Sequence, residues 1–386
     1  MAFASGFDFS EARDALALSQ AIYGAPAIPV PTPDPAALGW SLVDELSPSG
    51  PTLLDNLWQV WKSSAHPNRY AVVVRGTVDT DASILADLLF PLVDARLDLR
   101  LEIGGSQLDI PFHLARDETG SAVVAGTHLG FTLSLLLMLL TTDRPLLASL
   151  ARLSLLPGTE LLVTGHSQGA SIATLLTSLL RHAGGPFAGL SNLSVKTYVL
   201  APAKPGNDHY TADYAGIAGM AGFGWTIAST QGWVPQVPFT LQGPGDLNTP
   251  NPLRAYAGEA MPDSDPRVAA MALTAAMASD AALEQALAHA GETVAELKAG
   301  LGTIRLAPEP FATGGTVLPP VSGTVLAPTL DTVLSRVQRS LDYAPAGSLV
   351  PLFARPGGNP ADPKDFFWQH HLGNYWIYLQ EQYGSV

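Results

Sequence analysis

The sequence predicts an α/β protein built on a mostly parallel sheet, and three observations predict it. Short apolar segments alternate with helix-like ones: Tyr70–Arg75, Leu161–Thr164, Val195–Leu200 and Trp225–Ser229 read as strands. Tyr70-Ala71-Val72-Val73-Val74 is a continuous apolar run, the pattern of a strand covered on both faces. From Gln168 onward, Ile172, Leu175, Leu176, Leu179 and Leu180 recur at i, i+3, i+4, i+7 and i+8, which is one buried helix face.

The elements follow in order. Asp8 to Tyr23 is helical, with Ala12, Ala15, Leu16, Ile22 and Tyr23 on one face, and Gly24-Ala25-Pro26 ends it. Pro26, Pro29, Pro31, Pro33 and Pro35 make the next stretch a loop. Leu57 to Lys62 reads as a strand, and Leu97 to Ile110 as a hairpin about Gly104-Gly105. Phe131 to Leu155 is helical, and its most apolar part, Leu133 to Leu140, is far too short to span a bilayer. Pro157-Gly158 turns the chain, and Gly184-Gly185-Pro186 stops the helix that starts at Gln168. Pro266 to Leu301 is Ala-rich and helical, with Asp265 as its cap, Ser279 and Gly291 as breaks, and Glu284, Glu292, Glu296 and Lys298 on a wet side. It reads as an inserted cap, and Pro308 to Pro328, rich in Gly, Pro and Thr, as a loop or linker. No internal repeat is present.

Composition narrows the function. The 386 residues include 20 Lys plus Arg against 34 Asp plus Glu, a net charge of −14. That opposes nucleic-acid binding, which needs cations to displace counterions from phosphate, and opposes attachment to anionic lipid. With 47% hydrophobic and 14% charged residues, the chain can bury a core. Zero cysteine excludes disulfides, Cys-ligated metals and thiol catalysis. The N-terminus lacks a basic region followed by an apolar run, so no signal peptide is read; a mature secreted chain would look the same, and the compartment stays open.

Gly165-His166-Ser167-Gln168-Gly169 matches G-x-S-x-G, the nucleophile elbow. The serine needs a tight strand-to-helix turn that holds its hydroxyl clear of the sheet. Glycines two residues either side let neighbouring backbone approach. The N–H after the serine then points at a developing oxyanion. The match lies between an apolar strand and a periodic helix, as that mechanism requires.

These residues and their neighbours resemble the class 3, fungal-type lipases of the α/β-hydrolase superfamily. Val72-Val73-Val74-Arg75-Gly76-Thr77 is similar to that family's strand ending in Arg-Gly-Ser/Thr. Leu85 to Phe90 is similar to the segment after it, Thr127-His128-Leu129-Gly130-Phe131 to its His-x-Gly-Phe helix start, and Val163 to Ala170 to its elbow. Val234-Pro235-Gln236-Val237-Pro238 matches its Val-Pro-x-x-Pro turn. The likeness covers roughly residues 10–240 and the C-terminal tail. It implies an α/β-hydrolase fold: a mostly parallel central sheet with helices on both faces plus an inserted helical cap. The chain then reads as a single domain over 1–386, enlarged at about 91–125 and 242–365.

The resemblance implies roles by position. Ser167 is the nucleophile. The Gln168 backbone N–H and Thr77, through its N–H and its hydroxyl, supply the oxyanion hole, and His166 is structural support beneath the elbow. A serine needs a base, and in α/β-hydrolases the histidine comes last in the chain. His370 and His371 are the candidates: His370, Leu372 and Tyr375 fit one family spacing, and His371 followed by Leu372 fits the fungal members. The first spacing is preferred, and both residues stay open. The acid position aligns with Gly232, which cannot orient an imidazole. Asp208, Asp246, Asp263 and Asp265 lie between Ser167 and the histidines, and none matches well. A Ser–His dyad or an inactive homologue are the other outcomes.

Val78 to Phe90 occupies the family's lid position, with Ile84, Leu85, Leu88 and Leu89 on one face and Asp79, Asp81 and Asp87 outside it. The expected activity is hydrolysis of acylglycerols or simple carboxylic esters, without metal or organic cofactor, at a transient lipid interface. The rival is a lipid-binding homologue with weakened catalysis. Acyl transfer or amide hydrolysis shares the same nucleophile.

Overall fold

The computed structural model describes residues 3–24, 32–103, 106–116, 124–238, 240, 284–285, 287–300, 311–313, 316–318 and 323–384. A seven-stranded sheet forms its centre. β1 (Trp40–Leu42), β2 (Trp58–Ser63) and β3 (Arg69–Val74) are antiparallel neighbours. β3 then pairs in parallel with a strand at Glu160–His166, and parallel pairing continues through Ser194–Leu200, Gly224–Ser229 and Ser348–Leu352. This is the mostly parallel α/β sheet that the sequence predicts.

The apolar run on β3 divides between two layers. Val72 and Val74 face one core with the helices that follow the hairpin, and Ala71 and Val73 face the other. The alternation is the period-two geometry of a strand with both faces covered. α1 (Phe9–Ala21) covers the second layer together with a C-terminal helix at Leu372–Tyr383. On the first layer lie α2 (Asp81–Leu88), α3 (Leu129–Leu140), α4 (Leu146–Ser154) and α5 (Gln168–Arg181). Every residue of α3 is buried, which accounts for its uniformly apolar composition.

Several strand and helix bounds differ from expectation by a residue or two. The long helix predicted over Phe131 to Leu155 is two helices, because Pro145 follows the polar run Thr141-Thr142-Asp143-Arg144 and starts α4 anew. The predicted hairpin is present, as β4 (Leu92–Asp94) leads into an antiparallel pair, Arg96–Ile103 and Ser106–His113. Pro308 to Pro328 is not wholly a loop. Phe311–Thr313 pairs with Thr316–Leu318, and a helix runs from Gly323 to Leu334. The Thr-Val-Leu alternation supports pairing where Gly and Pro content pointed to coil. Of the Ala-rich stretch, residues 287–300 are helical, burying Ala290, Val294 and Leu297 and leaving Glu292 and Glu296 exposed. Its start, with Asp265 and Ser279, lies outside the described residues. So do Asp246 and Asp263.

α1 is tied to the sheet by a buried polar cluster. Asp8 caps it by accepting from Glu11 N. Lys196 Nζ meets Glu11 at 2.6 Å and donates to Ala4 O at 2.8 Å, with the lysine side chain 1% exposed. Tyr198 Oη donates to Glu11 Oε2 at 3.0 Å. Glu11→Ala leaves this ammonium buried without its main counter-ion, and a stability loss of about 3 kcal/mol is expected in urea denaturation. No helix among the described residues is long and apolar enough to cross a membrane.

Candidate active site

Ser167 sits at the sharp turn between the strand Glu160–His166 and α5. Its backbone is at φ 59 and ψ −130, a strained region for a residue with a Cβ. The flanking glycines are sterically required. A Cβ on Gly169 would lie 2.3 Å from Val74 O, and one on Gly165 2.5 Å from Gly169 O. The serine is half-buried, while the residues around it in both elements are buried.

The two residues expected to supply N–H donors are placed by different elements. Gln168 is the first residue of α5, so its N–H has no acceptor within the helix. Thr77 follows β3 by three residues. The Thr77 hydroxyl is committed elsewhere: it donates to Asp87 Oδ2 at 2.7 Å. That corrects the expectation that this hydroxyl also faces an oxyanion, since its hydrogen is given to Asp87. The Gln168 side chain donates to Asp87 Oδ1 at 3.0 Å and to Ser83 O at 3.0 Å, and accepts from Asn56 Nδ2 at 2.9 Å. Asp87 thus ties α2 to both Thr77 and Gln168. Burial pushes its carboxyl up to about 6, against the two hydrogen bonds that favour the charged form. His128, buried behind it, is lowered to about 3 by burial and stays neutral.

The two candidate histidines have separate surroundings. His370 is buried, with its ring 4.4 Å from that of His166 and 6.0 Å from that of Phe367. Both of its ring nitrogens lack a hydrogen-bond partner. Burial, then the neighbouring His166 and His371, hold it well below the ordinary histidine range. His371 is 46% exposed at its side chain and its Nε2 meets Asp365 Oδ2 at 2.9 Å. Asp365 also accepts from Asn359 Nδ2 and Phe367 N, both at 3.0 Å, and its carboxyl is lowered by these bonds and by His371, despite desolvation. No hydrogen bond joins Ser167 Oγ to either histidine among the described residues.

Gly232 stands buried in the loop after the strand Gly224–Ser229, directly before the Val234–Gln236 turn. Its N–H donates to Ser229 O at 3.1 Å. Trp233 beside it packs on Phe367 with ring centres 5.2 Å apart. Asp208 is exposed at the start of a helix, Asp208–Tyr214, and among the described residues no hydrogen bond or ion pair joins it to His370 or His371. No motif marks Asp365, Asn56 or Tyr23 as site residues, and Tyr23 reads only as part of a helix face. Asp365 also lies between Ser167 and His371 in the chain, but it stands six residues before the histidine and far beyond the position where the family's acid aligns, so alignment to that position does not find it. Among the described residues, no group of three or more His, Asp and Glu side chains is arranged to hold a metal.

Residues 71–242 match the lipase (class 3) family. Solved structures similar to the chain include a lipase from Rhizopus microsporus var. chinensis, 19% identical over 60% of this chain and 67% of that one, with a TM-score of 0.38. The Lip2 lipase from Yarrowia lipolytica is 19% identical over 62% of this chain and 78% of its own, with a TM-score of 0.41. M37 lipase is 13% identical over 91% and 80%, with a TM-score of 0.47. No curated protein matches the chain.

Proposed function

Since residues 71–242 match the class 3 lipase family, we propose that the chain is a serine carboxylic-ester hydrolase acting through an acyl-enzyme on Ser167. The observation that carries this reading is the strained Ser167 backbone at the strand–helix turn, beside the first N–H of α5. In the reaction, His370 takes the Ser167 proton and Oγ attacks the ester carbonyl. The Gln168 and Thr77 N–H groups hold the oxyanion. The alcohol leaves with the proton from His370, and water, activated by the same imidazole, releases the acid. His370 is favoured over His371 because its ring is buried against the residue that precedes Ser167 and its nitrogens are unspent. A hydrogen bond absent without substrate can still form in the substrate complex.

A fluorophosphonate probe and p-nitrophenyl esters of graded acyl length test this. Covalent label on Ser167, located by mass spectrometry, together with ester turnover is the expected result. Turnover without label on Ser167 sinks the assignment, and neither signal favours the weakened homologue to which Gly232 points.

α2 is proposed as the lid. Ile84 and Leu88 are one turn apart and 41% and 47% exposed, on the helix that Asp87 ties to Thr77. Ile84→Ser with Leu88→Ser should lower turnover of emulsified triacylglycerol by about 5-fold while sparing a soluble short-chain ester, since interfacial binding scales with buried apolar area. Equal losses on both substrates count against a lid.

A further inference from the structure

We propose that Tyr23 and His166 are positioning residues: a hydrogen-bond relay through their side chains, seated at the end of β3, fixes the backbone of His370. The proposal rests on His370 being the base, as read above.

The relay has a single consistent polarity. His166 Nε2 lies 2.9 Å from His370 O, and a carbonyl only accepts, so Nε2 carries the hydrogen. In the neutral ring Nδ1 is then an acceptor, and Tyr23 Oη, 3.0 Å away, donates to it. Tyr23 Oη in turn packs against the backbone at Gly76, directly after β3 and Arg75. Burial lowers His166 to about 4, which keeps the imidazole neutral and the tautomer fixed at neutral pH. The path leaves no room for a larger residue at Gly76: a Cβ there would lie 2.1 Å from Tyr23 Oη and 2.4 Å from His166 O.

Three parts of the site are joined in this way. Gly76 adjoins the oxyanion residue Thr77, His166 adjoins Ser167, and the relay ends on His370 itself. Tyr23 follows α1, whose ion-paired seat on the sheet makes it a firm anchor. The side chain of His370 has no polar partner, and no carboxylate stands at Gly232 to orient it. The carbonyl bond to His166 is therefore the polar contact that ties this histidine to the elbow. A small displacement of a base matters greatly, because proton transfer requires hydrogen-bond reach.

The test compares Tyr23→Phe in the natural chain and in a Gly232→Asp background, measuring Ser167 labelling by a fluorophosphonate and kcat and KM on p-nitrophenyl butyrate. Tyr23→Phe should lower kcat and the labelling rate about 10-fold with KM unchanged. With Asp at 232 orienting the ring independently, the loss should shrink to about 2-fold. Labelling at the natural rate in Tyr23→Phe, or an equal loss in both backgrounds, overturns the relay. Should Tyr23→Phe fold poorly, histidine-¹⁵N NMR of the natural chain decides: His166 is expected as the Nε2–H tautomer, and the Nδ1–H tautomer refutes the relay. An unlabelled Ser167 in the natural chain overturns the hydrolase reading itself, a result distinct from labelled Ser167 with a tautomer of the wrong kind.

Discussion

Gly232→Asp should raise kcat by at least about 10², with KM little changed. Loss of the acid elsewhere costs on the order of 10⁴ in rate, which sets the ceiling on what can be regained. The site can take the side chain. Gly232 has no left-handed φ, and a Cβ there would meet Ser229 O at 3.5 Å and Ser229 Cβ and Tyr375 Oη at 3.6 Å, ordinary contact distances. The chemistry of His370 gives the direction. Its imidazole is held well below the ordinary histidine range by burial and by two neighbouring histidines, so it is neutral but weakly basic. A carboxylate beside it favours the imidazolium that forms in the transition state. The acid limb of the kcat/KM profile should therefore move to higher pH as kcat rises. A fall in activity on Gly232→Asp, with no movement of that limb, would show that another carboxylate already serves. Asp365, on His371, is then the first residue to replace.

The fold was readable where apolar pattern carries the information. β3 and α5 each bury the residues that their periodicity marks, and the elbow lies between strand and helix because Gly165 and Gly169 admit the close backbone approach. Pattern failed where chemistry is local. The break at Pro145 is legible in the polar run Thr141–Arg144 and the proline that follows it, but the apolar residues on either side outweigh it in a reading by pattern, and Gly/Pro-rich composition hid the pairing of Phe311–Thr313 with Thr316–Leu318. At the site, motif spacing picked out Ser167, Thr77 and the two histidines. It did not reveal that Asp87 holds Thr77 and Gln168 together, or that Tyr23 reaches His166 across 143 positions of chain. Those contacts depend on side chains converging from distant elements, and a single hydroxyl or carboxylate leaves no periodic trace. The choice between His370 and His371 was equally hidden, since adjacent residues differ only in what the fold packs around each.

Ser167→Ala should cost the natural chain only about 10² in kcat, and far more in Gly232→Asp. Members of a triad act as a unit, so their losses do not add. In a serine protease, removing the nucleophile costs about 2 × 10⁶ and removing the acid alone about 3 × 10⁴. An enzyme that already lacks its acid stands below the complete triad by the second factor. The loss left for the serine is the quotient, somewhat under about 10². The residual rate comes from oxyanion donors and substrate binding, a part that the proposed Gln168 and Thr77 N–H donors would still supply. Restoring the acid lifts the starting rate but not that floor, so the penalty of Ser167→Ala should grow by the same factor that Gly232→Asp gains. Measuring kcat for p-nitrophenyl butyrate in the four chains of this cycle checks both effects together. Equal penalties in the two backgrounds would mean that residue 232 and Ser167 do not belong to one catalytic unit, and the acid of this chain would have to be sought away from Gly232.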